Sequence, residues 1–353
     1  MNIHDILQQL VELAGSDIHI LVGSAPILRV DGVLKAVAGV PALGPQDTEK
    51  LIIPLLSQEQ RDYILVNKEL DFGYQYKDLG RFRINVYHTQ GALAAALRLI
   101  PTRIKSLEEL NMPPVLKQFA EYRQGLVLLT GPTGEGKSTT LAAIIDQINT
   151  NRAEHILTIE DPVEFIHAPK KSIISQREVN QDTHGWDIAL RSALREDPNV
   201  VLVGEMRDFE TIAAAITIAE TGHLVFATLH TASAAQTVDR IIDVFPAHQQ
   251  GQVRQQLAAT LKVVASQRLL PNLQGGRIAA MEIMISNPAI QNLIREGKSH
   301  QIDNVIQTSA DVGMMLIETH LAALVQQGKI STEEALNTAF RRDEITRLLG
   351  KSR

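Results

Sequence analysis

Cysteine is absent from the 353 residues. That excludes disulfides and thiolate zinc sites and suits a cytoplasmic protein. Also missing is any apolar run near the ~18 residues that a membrane span requires, so no transmembrane segment is expected. The opening residues, MNIHDILQQLVELAG, carry no basic stretch ahead of their apolar positions, so no signal peptide is expected either. Positive charge is not in excess: 34 Lys and Arg stand against 40 Asp and Glu, a net charge of −6. That balance disfavours a nucleic-acid partner. Internal repeats and low-complexity tracts are lacking too. What remains is 44% hydrophobic and 21% charged, the composition of a globular chain. Its length points to two domains, since one core rarely grows past ~250–300 residues.

The most informative stretch is GLVLLTGPTGEGKSTT, residues 125–140. A continuous apolar run stops at glycine, as a buried strand does. Gly131, Pro132, Thr133, Gly134, Glu135, Gly136, Lys137, Ser138 and Thr139 then follow in the spacing G-x-x-x-x-G-K-[ST], ahead of a helical pattern. Glycines let backbone N–H groups approach a phosphate chain, and the helix turns its positive end toward the anion. Lys137 is placed to reach the β- and γ-phosphates, and the Ser138 hydroxyl to ligate Mg²⁺. With glycine near ~7% of residues, a chance match in such a chain is on the order of one per cent. ATP or GTP is the expected ligand.

Ahead of this loop, Ile3, Ile6, Leu7, Leu10 and Leu13 recur at helical spacing. Short strands are expected around residues 16–20 and 27–34, the second turning on Asp31-Gly32. A polar helical stretch covers 46–66. Residues 70–76, 81–88 and 92–99 then read as an antiparallel meander, with a turn at Asp78-Leu79-Gly80. Along RFRINVY, Phe82, Ile84 and Val86 take one face, and Arg81, Arg83, Asn85 and Tyr87 the other. Arg98 shares the parity of Ala92, Ala94 and Ala96 in the next strand. The arginine face is either a solvated outer surface or one that meets phosphate or carboxylate. Prolines 101, 113 and 114 mark a linker, placing the domains at 1–100 and 115–353.

Beyond the linker, strands and helices alternate as in a parallel α/β sheet. Strand 156–159 ends at Glu160-Asp161-Pro162-Val163-Glu164, and NVVLV ends at Gly204-Glu205. Carboxylates at such strand ends hold Mg²⁺ or orient a water for attack on the γ-phosphoryl group. His223 and His230 bracket another buried strand. His230, at its carboxyl end, suits a γ-phosphate sensor, and His223 suits that or a structural hydrogen bond. After Arg240 the pattern reads as mostly helical, with Val253, Leu257, Leu261 and Val264 as one stripe. A capping box at Ser331-Thr-Glu-Glu334 opens a late helix, and Arg341, Arg342, Arg347 and Lys351 line the last one.

The stations GPTGEGKSTT, TIEDPVEF, LVGEMRDFETIAAAITIAETGHLVFATLHT and AAQTVDRIIDVFP together resemble the secretion-type hexameric ATPases. SDIHI, RVDG and NLIREGKSHQI extend the resemblance along nearly the whole chain. Within the family it is most similar to the type IV pilus retraction, or twitching motility, ATPases. Pilus-assembly and type II secretion relatives carry a further N-terminal domain and usually a four-cysteine zinc element; with no cysteine and little room for them, the sequence is expected to fit the retraction branch better. The resemblance implies an α/β fold: a PAS-like N-terminal α+β domain, then a RecA-like P-loop ATPase domain with a helical C-terminal part. It implies a homo-hexamer hydrolysing ATP with Mg²⁺, acting peripherally at the inner face of the cytoplasmic membrane on a pilus platform protein, with a paralogous ATPase as a further partner.

By motif, residues 131–138 become Walker A. Glu160, Asp161 and Glu164 fall in the Asp box, Glu205 in Walker B, and His223 and His230 in the His box. The resemblance assigns water to Glu164 and Mg²⁺ to Glu205 and Ser138, or the two glutamates in exchanged roles. Arg81, Arg83 and Arg98 would approach a nucleotide at a subunit interface. Three positions depart from the family: Glu135 for Ser, Gln291 for Arg and Asn199 for Asp. The first two motivate a second expectation, a weakly hydrolysing partner of a more active motor. A nucleic-acid translocase is a third.

Overall fold

The computed structural model describes residues 2–13, 15–30, 32–77, 80–100 and 103–350. Asp31, Asp78, Leu79, Pro101 and Lys351, named above in turns, linker and last helix, lie outside them. The chain separates into two compact units. One covers the described residues up to Arg103 together with Asp161–Ile166; the other covers those of Ile104–Glu160 and His167–Arg353.

The first unit is built on strands β1 (Asp17–Ile20), β2 (Ile27–Val30), β3 (Val33–Ala36), β4 (Glu69–Tyr76), β5 (Gly80–Thr89) and β6 (Ala92–Ile100). They form one sheet in the order β3-β2-β1-β6-β5-β4, antiparallel at every pairing. Helix Ile3–Glu12 starts at a capping box between Asn2 and Asp5 and buries Ile3, Ile6, Leu7 and Leu10. Leu13, expected on the same stripe, is 49% exposed because the helix stops at Glu12. The helix expected over 46–66 is broken into Pro45–Ile52, a 3₁₀ turn Ile53–Leu55, and Gln58–Asn67. Pro54 removes a backbone donor there, and Ser57 caps the second helix.

Alternation in β5 is as the sequence predicts: Phe82, Ile84 and Val86 are fully buried, while Arg81, Arg83, Asn85 and Tyr87 stay part-exposed. Each buried side chain contributes roughly 1.5–3 kcal/mol of transfer free energy.

The second unit holds β7 (Gly125–Thr130), β8 (His155–Glu160), β9 (Ile173–Glu178), β10 (Val200–Val203), β11 (Leu224–Leu229), β12 (Leu261–Pro271) and β13 (Arg277–Ile285). Their order is β13-β12-β7-β11-β10-β8-β9. All pairings are parallel except the antiparallel edge of β12 with β13. Leu126 and Leu128 pack into one core, Val127 and Leu129 into another on the opposite face. A strand covered on both faces has no polar side, so its sequence is a continuous apolar run.

β12 and β13 correct the helical expectation after Arg240. Val253 and Leu257 do lie on a helix, Ala247–Thr260, but Leu261 and Val264 lie on a strand. Their spacing continued the helical stripe by coincidence. Between two packed layers, Leu261, Val263, Val264, Ala265, Ser266 and Gln267 are all buried, and such a run has no period of two to reveal it.

Candidate phosphate-binding site

Open parallel sheets bind ligands at the carboxyl ends of their strands, and the loop leaves β7 at that end. Gly131 has φ 136°, and a Cβ there would come within 2.4 Å of the Gln267 carbonyl oxygen. Only glycine fits between the loop and β12. Gly136, with φ 78°, is the N-cap of helix Lys137–Asn151, so the first turn directs its unpaired N–H groups into the loop. Lys137 is 8% exposed. Its Nζ donates to the carbonyls of Gly131 (2.6 Å) and Pro132 (2.8 Å), which holds the ammonium over the loop. Ser138 and Thr139 are half-buried, while Thr133 and Gly134 are exposed at the tip.

β11 lies between β7 and β10. Two strand spacings, about 9–10 Å, therefore separate the loop's strand from the one that leads to Glu205. Glu205 Oε1 is 2.7 Å from Arg207 Nε and 2.7 Å from His230 Nε2. Burial raises its pKa, but the Arg207 hydrogen bond and charge, with His230, outweigh that and hold the carboxyl below its ordinary value. Glu205 is thus an anion beside the phosphate loop's sheet edge. Thr228 Oγ1 donates to the Gly204 carbonyl at 2.6 Å, fixing the turn that presents it. Arg207 was not anticipated, although GEMRD shows it two residues past the acid.

Glu160, at the end of β8, accepts from Thr158 Oγ1 at 2.7 Å and from Gln176 Nε2 at 3.5 Å. His223 sits at the amino end of β11 instead, its Nδ1 within 3.1 Å of Thr221 Oγ1 and the Ile218 carbonyl. The two histidines therefore divide: His230 joins Glu205, and His223 closes the helix Phe209–Glu220.

Glu164 and the three arginines belong to the first unit. One register row crosses its sheet: Arg29 on β2, Asp17 on β1, Arg98 on β6 and Arg83 on β5. Arg98 Nε donates to Asp17 at 2.9 Å and keeps 71% of its side chain exposed. Asp17 is raised by burial but lowered further by Ser16, Arg98 and Arg29. Arg83 grips Asp71 through Nε (3.1 Å) and a terminal nitrogen (2.6 Å) and lies 3.9 Å from Glu164. Arg81 is half-buried on the same face. Asp17 and Asp71 were missed because only strand register identifies them as partners.

The donor set suits a nucleoside triphosphate: loop N–H groups, a helix N-terminus, one ammonium and a hydroxyl. Among the described residues no three His, Cys, Asp or Glu side chains gather to hold a metal ion.

The family model for Type II/IV secretion system protein matches residues 2–337. The chain belongs to this family. The Type IV pilus retraction ATPase PilT of Pseudomonas aeruginosa is 47% identical over 339 residues, 96% of this chain and 98% of that relative. A Twitching motility protein of Neisseria gonorrhoeae is 49% identical over 315 residues, 89% of this chain and 84% of that relative. A crystal structure of the pilus retraction motor PilT with bound ADP superposes with a TM-score of 0.92 at 45% identity, covering 98% of this chain and 99% of that one.

The departures from the secretion-family pattern find places in the structure. Glu135 turns toward β12, where its carboxylate accepts the Leu269 N–H and lies 3.6 Å from Arg268. Asn199 Oδ1 accepts the His155 N–H at 2.9 Å, at the strands' amino ends, a bond that an aspartate would make equally well. Gln291 is half-buried on helix Pro288–Glu296.

Proposed function

We propose that the chain is the ATP-hydrolysing motor of type IV pilus retraction, driving filament disassembly and twitching motility. The observation that carries this is the loop with Lys137 held over it, on a sheet whose next strand but one ends at ionised Glu205, paired with His230. The likeness to ADP-bound PilT supports it. The strand order, with β11 between the loop strand and the Glu205 strand, supports a RecA-like ATPase domain over 115–353. The antiparallel sheet with its helices supports a PAS-like domain over 1–100; the linker is proposed over 101–114, its part from Ile104 onward packed with the second unit.

In this reading the loop N–H groups and Lys137 bind the phosphates, and Lys137 neutralises charge that grows on the γ-phosphoryl oxygens. Ser138 and Glu205 would hold Mg²⁺, which would supply polarisation of the phosphate oxygens. Glu164 orients the attacking water, or exchanges that role with Glu205. Water adds to the γ-phosphorus, the bond to the β–γ bridging oxygen breaks, and ADP and phosphate leave. Glu160 and His230 keep the sheet edge polar around that event. Six copies form a ring in which Arg81, Arg83 and Arg98 of one subunit serve a nucleotide bound by its neighbour. The ring works at the inner face of the cytoplasmic membrane on a pilus platform protein. No helix of the described residues is long and apolar enough to cross a membrane.

The test is steady-state Mg-ATP hydrolysis by the purified chain, with its mass followed by light scattering. Turnover by a six-subunit particle is expected, with no stimulation by single-stranded DNA. A monomer that retains no Mg-ATP would overturn the reading. Tight nucleotide binding with negligible turnover would instead favour the accessory-partner reading.

A further inference from the structure

The phosphate loop is held from behind by consecutive residues of β12. Ser266 pairs with Thr130 in register, and their hydroxyls share a buried 2.7 Å hydrogen bond. The next residue, Gln267, is 1% exposed. Its Nε2 donates to the Glu135 carbonyl at 2.6 Å, and its Oε1 accepts from Thr140 Oγ1 at 2.9 Å. Its main-chain oxygen faces Gly131 so closely that no side chain fits there. Arg268 and Leu269 then take the Glu135 carboxylate.

A buried carboxamide is costly unless both its ends are satisfied. Here both ends are satisfied by the phosphate loop and the first turn of its helix. Only one orientation works, because a carbonyl requires a donor and the NH₂ group is the donor. We propose that Gln267 is a positioning residue for nucleotide binding, an inference that rests on the nucleotide reading of the loop. The staple ties Glu135, just before Gly136, to Thr140, one helical turn later. It thereby fixes the left-handed turn at Gly136 and the directions of the N–H groups of Lys137 and Ser138. Without it, the loop must be ordered at the moment of binding, and affinity falls by the cost of that ordering.

The substitution Gln267→Met keeps volume and removes both hydrogen bonds; Thr140→Val removes one. Three readouts on the full chain separate the outcomes: Mg-ADP affinity, kcat against KM, and hydrogen exchange of the 131–140 backbone without nucleotide. Gln267→Met weakens Mg-ADP about tenfold and raises KM alike, while kcat at saturation changes by less than about threefold. Loop exchange accelerates, and exchange in β10 and β11 does not. Thr140→Val shows a smaller loss, and the double variant loses less than the sum of the two, since both cut one staple; full equality is not expected, because Thr140 Oγ1 also reaches the Gly136 carbonyl at 3.2 Å. Unchanged affinity and unchanged loop exchange in Gln267→Met would overturn the proposal, as would a loss that follows general unfolding across β10 and β11. Should Gln267→Met fail to fold, Thr140→Val with unaltered loop exchange overturns it alone. If the unsubstituted chain binds no Mg-ADP, the nucleotide reading fails, whereas loop exchange still reports whether the staple exists.

Discussion

Glu135 brings a negative charge into a loop suited to anions, and two like charges 4 Å apart at an effective dielectric constant of 20 repel by about 4 kcal/mol. The structure gives that charge two other engagements, the Leu269 N–H and the Arg268 guanidinium. Lys137 has the opposite arrangement, held by carbonyl oxygens that a phosphate can replace. Lys137→Ala is therefore expected to cut turnover by at least ~100-fold and to weaken Mg-ATP binding by ~10-fold or more; titration calorimetry with a steady-state assay checks both. Glu205→Gln keeps size and a hydrogen-bond acceptor but removes the anion that Arg207 and His230 sustain. Its expected signature is a loss of ~10²–10³ in kcat with nucleotide affinity retained. Wild-type turnover in either variant would dismiss the assignment of that residue.

Helix Ala234–Asp243 is capped twice, by Ser233 and by a buried acid on β13. Glu282 Oε1 accepts the Ala234 N–H at 2.8 Å. Burial pushes this carboxyl up to about 7; Asp303 and Glu318 add to the rise, and Ala234 and Arg341 oppose it. Because the folded value lies above the unfolded 4.5, the contribution of Glu282 to stability is complete below the unfolded value and is lost as pH rises through about 7. Glu282→Gln keeps the acceptor and cannot ionise. The variant is expected to gain on the order of 1–3 kcal/mol over the natural chain at pH 8, a gain that disappears near pH 5, as urea midpoints at the two pH values would show. The same neighbourhood corrects the last helix. Arg341, expected to line that helix, precedes its start at Arg342 and lies 2.9 Å from Asp303 and 3.0 Å from fully buried Glu318.

Elements with one solvated face were legible from sequence. β5 alternates because water lies on one side, and helix Ile3–Glu12 shows its stripe for the same reason. The candidate loop was legible as a strand-to-helix turn because its signals are local: the glycines, Lys137 and Ser138 are neighbours in sequence. β12 was not, since burial on both sides erases the period, and its role depends on contacts from Gln267 to Glu135 and Thr140 that no spacing encodes. The acids Asp17 and Asp71 stayed hidden for a related reason. A one-residue change of register would have given Arg98 and Arg83 other partners.

For the assembled protein, the arginine row carries the strongest consequence. Arg98 is anchored by Asp17 yet remains largely exposed, which suits a cation presented to another molecule. In the proposed ring, mixing natural subunits with subunits doubly substituted at Lys137→Ala and Arg98→Ala is expected to lower hydrolysis at natural sites at least ~10-fold below that in mixtures with Lys137→Ala alone. Equal rates in the two mixtures would show that Arg98 serves only its own subunit.

The division of the chain also bears on how it can be dissected. Asp161–Ile166, carrying Glu164, is grouped with the residues up to Arg103, although it follows directly on β8 of the other unit. The polypeptide therefore passes from one folded body to the other three times. A fragment beginning at Ile104 would carry Asp161–Ile166 deprived of native companions such as Arg83. Severing between Arg103 and Ile104 is thus an amputation rather than a clean separation, and a silent fragment would testify to the cut before it testified to the chemistry.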